Sequence, residues 1–284
     1  MQPQPDGFTW VQAPGGPALV CRALEPVAAH LFTTRDWRLG SAPSEPRDDA
    51  WAEVAAALGV TPHSFARAHQ VHGATVIVQP AGNGGRLPEG DIIISTDAAF
   101  ALAIQTADCV PLLVADRRTG AVAAAHAGWR GMAARVPQVT VAALGRHFSS
   151  RPEDLIAAIG PSIGACCYEV GADVRGAFAA AGFDDRDIER WFTATPQPSP
   201  TNPSMPGLSR ARRAGHWFFN GWAAARGQLE HAGVPAGQIH VASVCSASHP
   251  HAFCSFRRDG SAAGRMAAAI RPAAAIMPVV PEAS

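Results

Sequence analysis

The sequence has no surplus of charge: 23 Lys and Arg stand against 23 Asp and Glu, for a formal net charge of zero. A nucleic-acid binder needs a basic face to neutralise phosphates, so the balance argues against that class. A small anion stays open, because a few arginines suffice to hold one. Long apolar runs are lacking too. The alanine-rich stretches are broken by Gly, Pro or charge before they reach the ~20 residues a bilayer requires, so no membrane partner is expected. Residues Met1 to Gly7 are polar and proline-containing, without the charged-then-apolar order of a secretory leader. Cysteine is sparse, with six in 284 residues, far from the density of a small disulfide scaffold. A reduced, cytoplasmic protein is therefore expected. There is no internal repeat, no C-x-x-C and no H-E-x-x-H.

What is present is a chain 48% apolar and long enough for a full core. Short apolar runs at Phe8–Val11, Ala18–Leu24 and Ala28–Thr33 read as strands between Pro and Gly, and Arg35–Asp49 as a loop. Trp51–Leu58 reads as a helix closed by Gly59. His63–His69 and Ala74–Gln79 read as strands flanking a turn, followed by a glycine-rich loop over Ala81–Gly90. Asp91–Ser95, Ala101–Thr106, Val110–Ala115 and Ala121–Ala125 are closely spaced and read as buried strands of one sheet. Helices are expected at about Gly131–Phe148, at Val170–Ala181 and over the long span Leu208–His231. Leu155–Ile159, Ile239–Val244, Ala252–Phe256 and Met266–Ile270 complete the strands. Strands arriving in runs argue against a Rossmann or barrel fold and for one mixed α/β (α+β) domain. That domain spans residues 1–284, with about six N-terminal and about twelve C-terminal residues frayed.

Three chemistry-bearing residues close short apolar segments: His72 in Gln70-Val71-His72-Gly73, Cys109 in Ala107-Asp108-Cys109, and His126 in His126-Ala127-Gly128-Trp129-Arg130-Gly131. One thiolate and two imidazoles suit zinc or copper with a position left open, or a Cys-His nucleophilic pair without metal. The plainer reading is a buried small hydrophobe and two hydrogen-bonded turn histidines, and spacing alone favours it. Asp108 and Cys109 are adjacent, so both face one pocket only where the chain bends. Asp108 then orients a ligand, moves a proton or, more plainly, caps the turn. Gly160-Pro161-Ser162-Ile163-Gly164 has the outline of a nucleophile elbow, but Ala165-Cys166-Cys167-Tyr168 intervenes before any helix, which favours a glycine turn. Cys166 and Cys167, being neighbours, read as packing residues. Arg35, Arg130, Arg257 and Arg258 end predicted elements; guanidinium forks suit phosphate or carboxylate, and structural ion pairs are the plainer reading. Trp129 offers a stacking face or local packing. The other histidines have no informative spacing.

These blocks resemble the YfiH family. The resemblance runs in order through His30-Leu31-Phe32-Thr33-Thr34-Arg35, the His72, Cys109 and His126 blocks, Gly160 to Val170, Phe256-Arg257-Arg258-Asp259-Gly260 and Gly264-Arg265-Met266. It covers nearly the whole chain and overrides the plainer reading of the Cys/His set. It implies a single-domain fold of mixed β-sheets flanked by helices, similar to a cysteine-hydrolase-like domain. It also implies a metal site of His72, Cys109 and His126. Zinc suits that donor set as a non-redox Lewis acid, with copper as the other fitting ion. The implied activities are phosphorolysis of adenosine, inosine, guanosine and methylthioadenosine, and deamination of adenosine, by a protein expected to be a monomer. Cys109, His126 and Asp108 are the catalytic candidates; Arg35, Arg130, Ser162 and Arg258 are those for nucleoside and phosphate. The alternatives are a metal-free Cys-His thiol hydrolase, a laccase-like polyphenol oxidase and a binding protein without turnover. The chain departs from the family pattern after Arg35, at Asp36 to Ser41, and between Cys245 and Cys254, where Ser246, His249 and His251 stand.

Overall fold

A computed structural model describes residues 3–40, 48–78, 87–208, 211 and 213–273. Residues 1–2, 41–47, 79–86, 209, 210, 212 and 274–284 lie outside the described residues, and with them the first two of the N-terminal residues expected to fray and nearly all of the C-terminal ones.

Two six-stranded mixed sheets pack face to face. The first runs in the order Phe8–Ala13, Gly16–Cys21, Ala28–Thr33, Met266–Pro272, Ala101–Thr106, Phe65–Ala66. The second runs Ile239–Val241, Leu155–Ile159, Val110–Asp116, Val122–Ala127, Ile92–Ser95, Val76–Val78. Neighbours are antiparallel except Phe65–Ala66 on the first sheet and the two outer pairs of the second. The period-two alternation of side chains sorts each strand between two cores. Ile93, Leu113 and Ala124 meet Phe32, Leu102 and Ala268 between the sheets. Their chain neighbours Ile92, Leu112 and Ala125 face helices Val136–Phe148 and Gly221–His231 on the other side. The outer face of the first sheet, with Leu31, Ala103 and Ala269, is covered by Trp37, Leu39 and helix Asp48–Ala57. Sheets covered on both faces explain the near-continuous apolar strands. The result is a single α+β domain in which helices flank a pair of mixed sheets.

Four expectations are corrected. Ala101–Thr106 belongs to the first sheet, not to that of its sequence neighbours, so the chain passes between sheets at Ala107–Cys109. The expected helix over Leu208–His231 begins only at Gly221, where the Asn220 side chain caps it by accepting from Ala223 N at 3.0 Å. Before it, the aromatic run His216–Phe219 forms the centre of a three-stranded sheet with Glu169–Gly171 and Phe192–Thr193. Ala252–Phe256 is no strand; Ser255 caps the short helix Phe256–Asp259. The helix expected over Gly131–Phe148 is two, Trp129–Ala133 and Val136–Phe148, broken at Arg135 with φ of 63°.

Candidate metal centre

His72, Cys109 and His126 converge at the seam between the two sheets, with their ligand atoms within 4.8 Å of one another. Cys109 lies on the turn by which the chain crosses from Ala101–Thr106 to Val110–Asp116. Asp108, at φ of 86°, supplies the bend that lets it and Cys109 line one cavity. His126 is buried in Val122–Ala127, opposite Pro111. His72 sits exposed on a loop that both sheets hold. Gln70 donates to Gln105 O at 2.8 Å and accepts from Gln105 N at 2.7 Å, pairing with the first sheet like a strand residue. The loop's next three amides belong to Asp91, at the entry of Ile92–Ser95 in the second sheet. Val71, His72 and Gly73 donate their N–H groups to its carboxylate at 3.2, 3.0 and 2.8 Å.

The same carboxylate lies 2.8 Å from His126 Nδ1. Asp91 is fully buried. An Nδ1–H donated to it leaves His126 Nε2 free to bind a ligand, the usual carboxylate support of a metal-ligating imidazole. The two imidazole rings meet edge to face, centroids 4.8 Å apart. A Cβ on Gly128 would stand 2.9 Å from Cys109 Sγ and 3.0 Å from His72 Cδ2, so glycine is what lets the three approach. Two imidazoles and one thiolate preassembled in this way fit a transition-metal ion with a position open toward the cavity.

The charges match that use. Burial opposes ionisation of Cys109, but the His126 and His72 imidazoles outweigh it and bring the thiol down to about 6. Burial likewise disfavours a charged His126, but the Cys109 thiolate and the Asp91 carboxylate push it up to about 9. The carboxyl of Asp91 stays below its usual range, since His126 and the loop amides outweigh its burial.

The cavity in front of the three ligands has a volume of about 610 Å³. Its walls carry Trp129, Tyr168 and Phe256, and four guanidinium groups, Arg67, Arg130, Arg257 and Arg265. Arg130 lies over Trp129 at 4.2 Å and Arg257 over Tyr168 at 4.9 Å. Burial, foremost, raises Tyr168, which keeps its proton near neutrality. Asp108 accepts from Ser246 Oγ at 2.6 Å, Ser255 Oγ at 3.0 Å and Arg257 N at 2.6 Å, so it anchors the segment that carries Arg257. Burial raises its pKa despite those donors.

Of the sequence-derived candidates, Cys109, His126, His72, Asp108 and Arg130 meet at this cavity, and three others are outside its lining. Arg35 donates to Pro250 O. Arg258 is held by the carbonyls of Ser246, Ala247 and Phe253 and by Asp259. Ser162 is fully buried and accepts from Trp222 Nε1 at 2.6 Å. Its flanking glycines serve close packing: a Cβ would meet Phe32 at 2.3 Å from Gly160 and Trp222 at 2.6 Å from Gly164. Sequence reading passed over Asp91 and Arg67, which carry no local motif, and gave no role to Arg265 although it stands in the Gly264-Arg265-Met266 block.

Residues 48–273 match the family model described as multi-copper polyphenol oxidoreductase laccase. A purine nucleoside phosphorylase of Deinococcus radiodurans is 37% identical over 270 residues, covering 91% of this chain and 94% of the relative. The purine nucleoside phosphorylase YfiH of Shigella flexneri is 32% identical over 214 residues, 75% of this chain and 76% of its own. The crystal structure of the Bacillus licheniformis hypothetical protein YfiH matches 94% of this chain and all of its own, with a TM-score of 0.80 and 26% identity.

Proposed function

This chain belongs to the YfiH family, whose members carry both laccase-domain and purine nucleoside phosphorylase names, and from that premise we propose that it is a purine nucleoside phosphorylase acting on adenosine, with inosine, guanosine and methylthioadenosine as further substrates and with adenosine deaminase activity. The observation that carries the reading is the composition of one cavity: Cys/His₂ donors beside aromatic faces and four arginines. Aromatic walls suit a purine and guanidinium groups suit phosphate. His72, Cys109 and His126 would hold a zinc ion, with copper as the other fitting metal, and it would supply a Lewis acid. Asp91 orients His126 through Nδ1. Arg130 and Arg257, each poised over an aromatic ring, bind and align phosphate for attack on C1′ of the ribose. Tyr168 offers a hydroxyl that stays protonated and donates a hydrogen bond to the substrate. Asp108 places Arg257 through its backbone amide. The unit is proposed to work as a monomer over its whole length in a reducing cytoplasm, in keeping with six free cysteines. Among the described residues no helix is long and apolar enough to cross a membrane.

The test is mass spectrometry of products from adenosine, with and without phosphate and with a chelator. Adenine and ribose 1-phosphate appearing only with phosphate, and inosine without it, are expected. Absence of both from a folded, zinc-loaded protein overturns the reading.

Specific observations also favour the alternatives. The family description speaks directly for a laccase-like polyphenol oxidase, for which oxygen uptake with a phenol and copper is the assay. The paired shifts of Cys109 to about 6 and His126 to about 9 speak for a thiol hydrolase, which a chelator would spare and an alkylating agent would stop.

A further inference from the structure

Cys166, Cys167 and Cys245 lie outside the cavity lining, and their three sulfurs fall within 4.8 Å of one another. All three residues are buried and none is in a disulfide. The turn Gly164–Tyr168, closed by Cys167 N and Tyr168 N donating to Gly164 O at 2.9 Å, points both adjacent sulfurs toward Cys245. Cys245 is fixed independently. Its segment bridges Ser162 in parallel, and its N–H donates to Asn202 Oδ1 at 2.7 Å, while Asn202 Nδ2 donates to Ser243 O at 2.8 Å. Two loops far apart in sequence are thus clamped so that three sulfurs meet before any ligand arrives.

We propose that Cys166, Cys167 and Cys245 form a second metal site, distinct from His72, Cys109 and His126, that takes a soft monovalent cation of the copper(I) class. Sulfur-only donors select soft ions. No imidazole or carboxylate belongs to the group, whereas structural zinc asks for four nitrogen or sulfur ligands. The surrounding cluster is apolar and includes Ile163, Ala247 and the thioether residue Met205. Gly164 N–H donates to Cys245 Sγ at 3.3 Å, a bond that strengthens when the sulfur is a thiolate. Hydrogen bonds from Cys166 and Cys167 hold Cys245 well below the usual thiol range, whereas Cys167, Cys245 and burial push Cys166 above it. Each Cu–S bond that forms displaces the proton of a ligating thiol to solvent, with no change of oxidation state. Access is short: partly exposed Ser248 lies 3.5 Å from both Cys166 and Cys167 sulfurs, and Cys167 donates to the carbonyl of exposed Pro203. This site does not rest on the nucleoside reading.

The experiment is anaerobic titration of the full chain with Cu⁺ against a chromophoric chelator, followed by X-ray absorption at the copper edge. The unsubstituted protein is expected to take two equivalents. The double variant His72→Ala/His126→Ala keeps one, in a shell of sulfur alone, and Cys167→Ser or Cys245→Ser, folded by circular dichroism, also keeps one. The proposal is overturned if the His72→Ala/His126→Ala protein takes up none, or if its copper shell contains imidazole nitrogen. Retention of two equivalents by a folded Cys245→Ser protein overturns it as well.

Discussion

Asp91 joins the site's parts at the level of single atoms: three amides of the His72 loop and one imidazole share its two oxygens. Asp91→Asn keeps the shape but weakens the hold on His126. Zinc affinity is expected to fall by about 10–100-fold, the usual effect of losing an imidazole's carboxylate support, as read by competition with a chromophoric chelator. The Cys109–His126 pair gives a second expectation at this scale. In metal-free protein the thiolate and imidazolium coexist between about pH 6 and about pH 9. A depressed thiol contributes its full stability above the ordinary thiol value and has lost it once pH falls through about 6. A raised imidazole loses its contribution as pH climbs through about 9. Thiolate absorbance of the metal-free protein should therefore rise with a midpoint near 6, and a midpoint at the ordinary thiol value would show that the pair is not formed. His72, Cys109 and His126 stood out in the sequence because each ends an apolar run, but their spacing alone favoured packing, and it was the family resemblance that implied a metal site. Asp91 did not stand out, because it opens such a run, and its bonds go to backbone groups and a ring 18 to 35 positions away.

Secondary-structure elements show where local pattern stops informing. Ala101–Thr106 has the same apolar signature as its neighbours, since strands buried on both faces carry no mark of which sheet they join. His216–Phe219 stands just before an alanine-rich helical stretch, yet pairing with two remote strands decides its form. The glycine turn after Leu155–Ile159 was legible as a turn, but its cause, the Phe32 ring pressed on Gly160, comes from the other sheet. Gly160→Ala should force that ring aside and cost about 1–3 kcal/mol, seen as a lower urea midpoint at unchanged slope. An unchanged midpoint would mean that the sheets part easily there.

The whole molecule is two sheets that meet at the His72, Cys109 and His126 cluster, so an ion held there would be linked to the fold. An ion bound only by the folded state adds about 2.7 kcal/mol when free metal exceeds Kd by about 100-fold. In protein loaded with zinc alone, chelation should accordingly lower the melting temperature, whereas His126→Ala treated in the same way should melt alike with and without chelator. A chelator effect of equal size in His126→Ala would place the stabilising ion elsewhere. The crossing of the chain between sheets at Ala107–Cys109 also has a consequence in time. During synthesis or refolding, Cys109 has no imidazole beside it until Val110–Asp116 has paired with Val122–Ala127 and Asp91 has gathered the His72 loop, because Pro111 stands opposite His126 and both histidines are positioned through the second sheet. Its sulfur is an ordinary thiol before that moment and an activated one after it. Pulse alkylation of Cys109 in refolding protein would therefore work as a clock, timing the assembly of the second sheet by a change in the chemistry of a single atom.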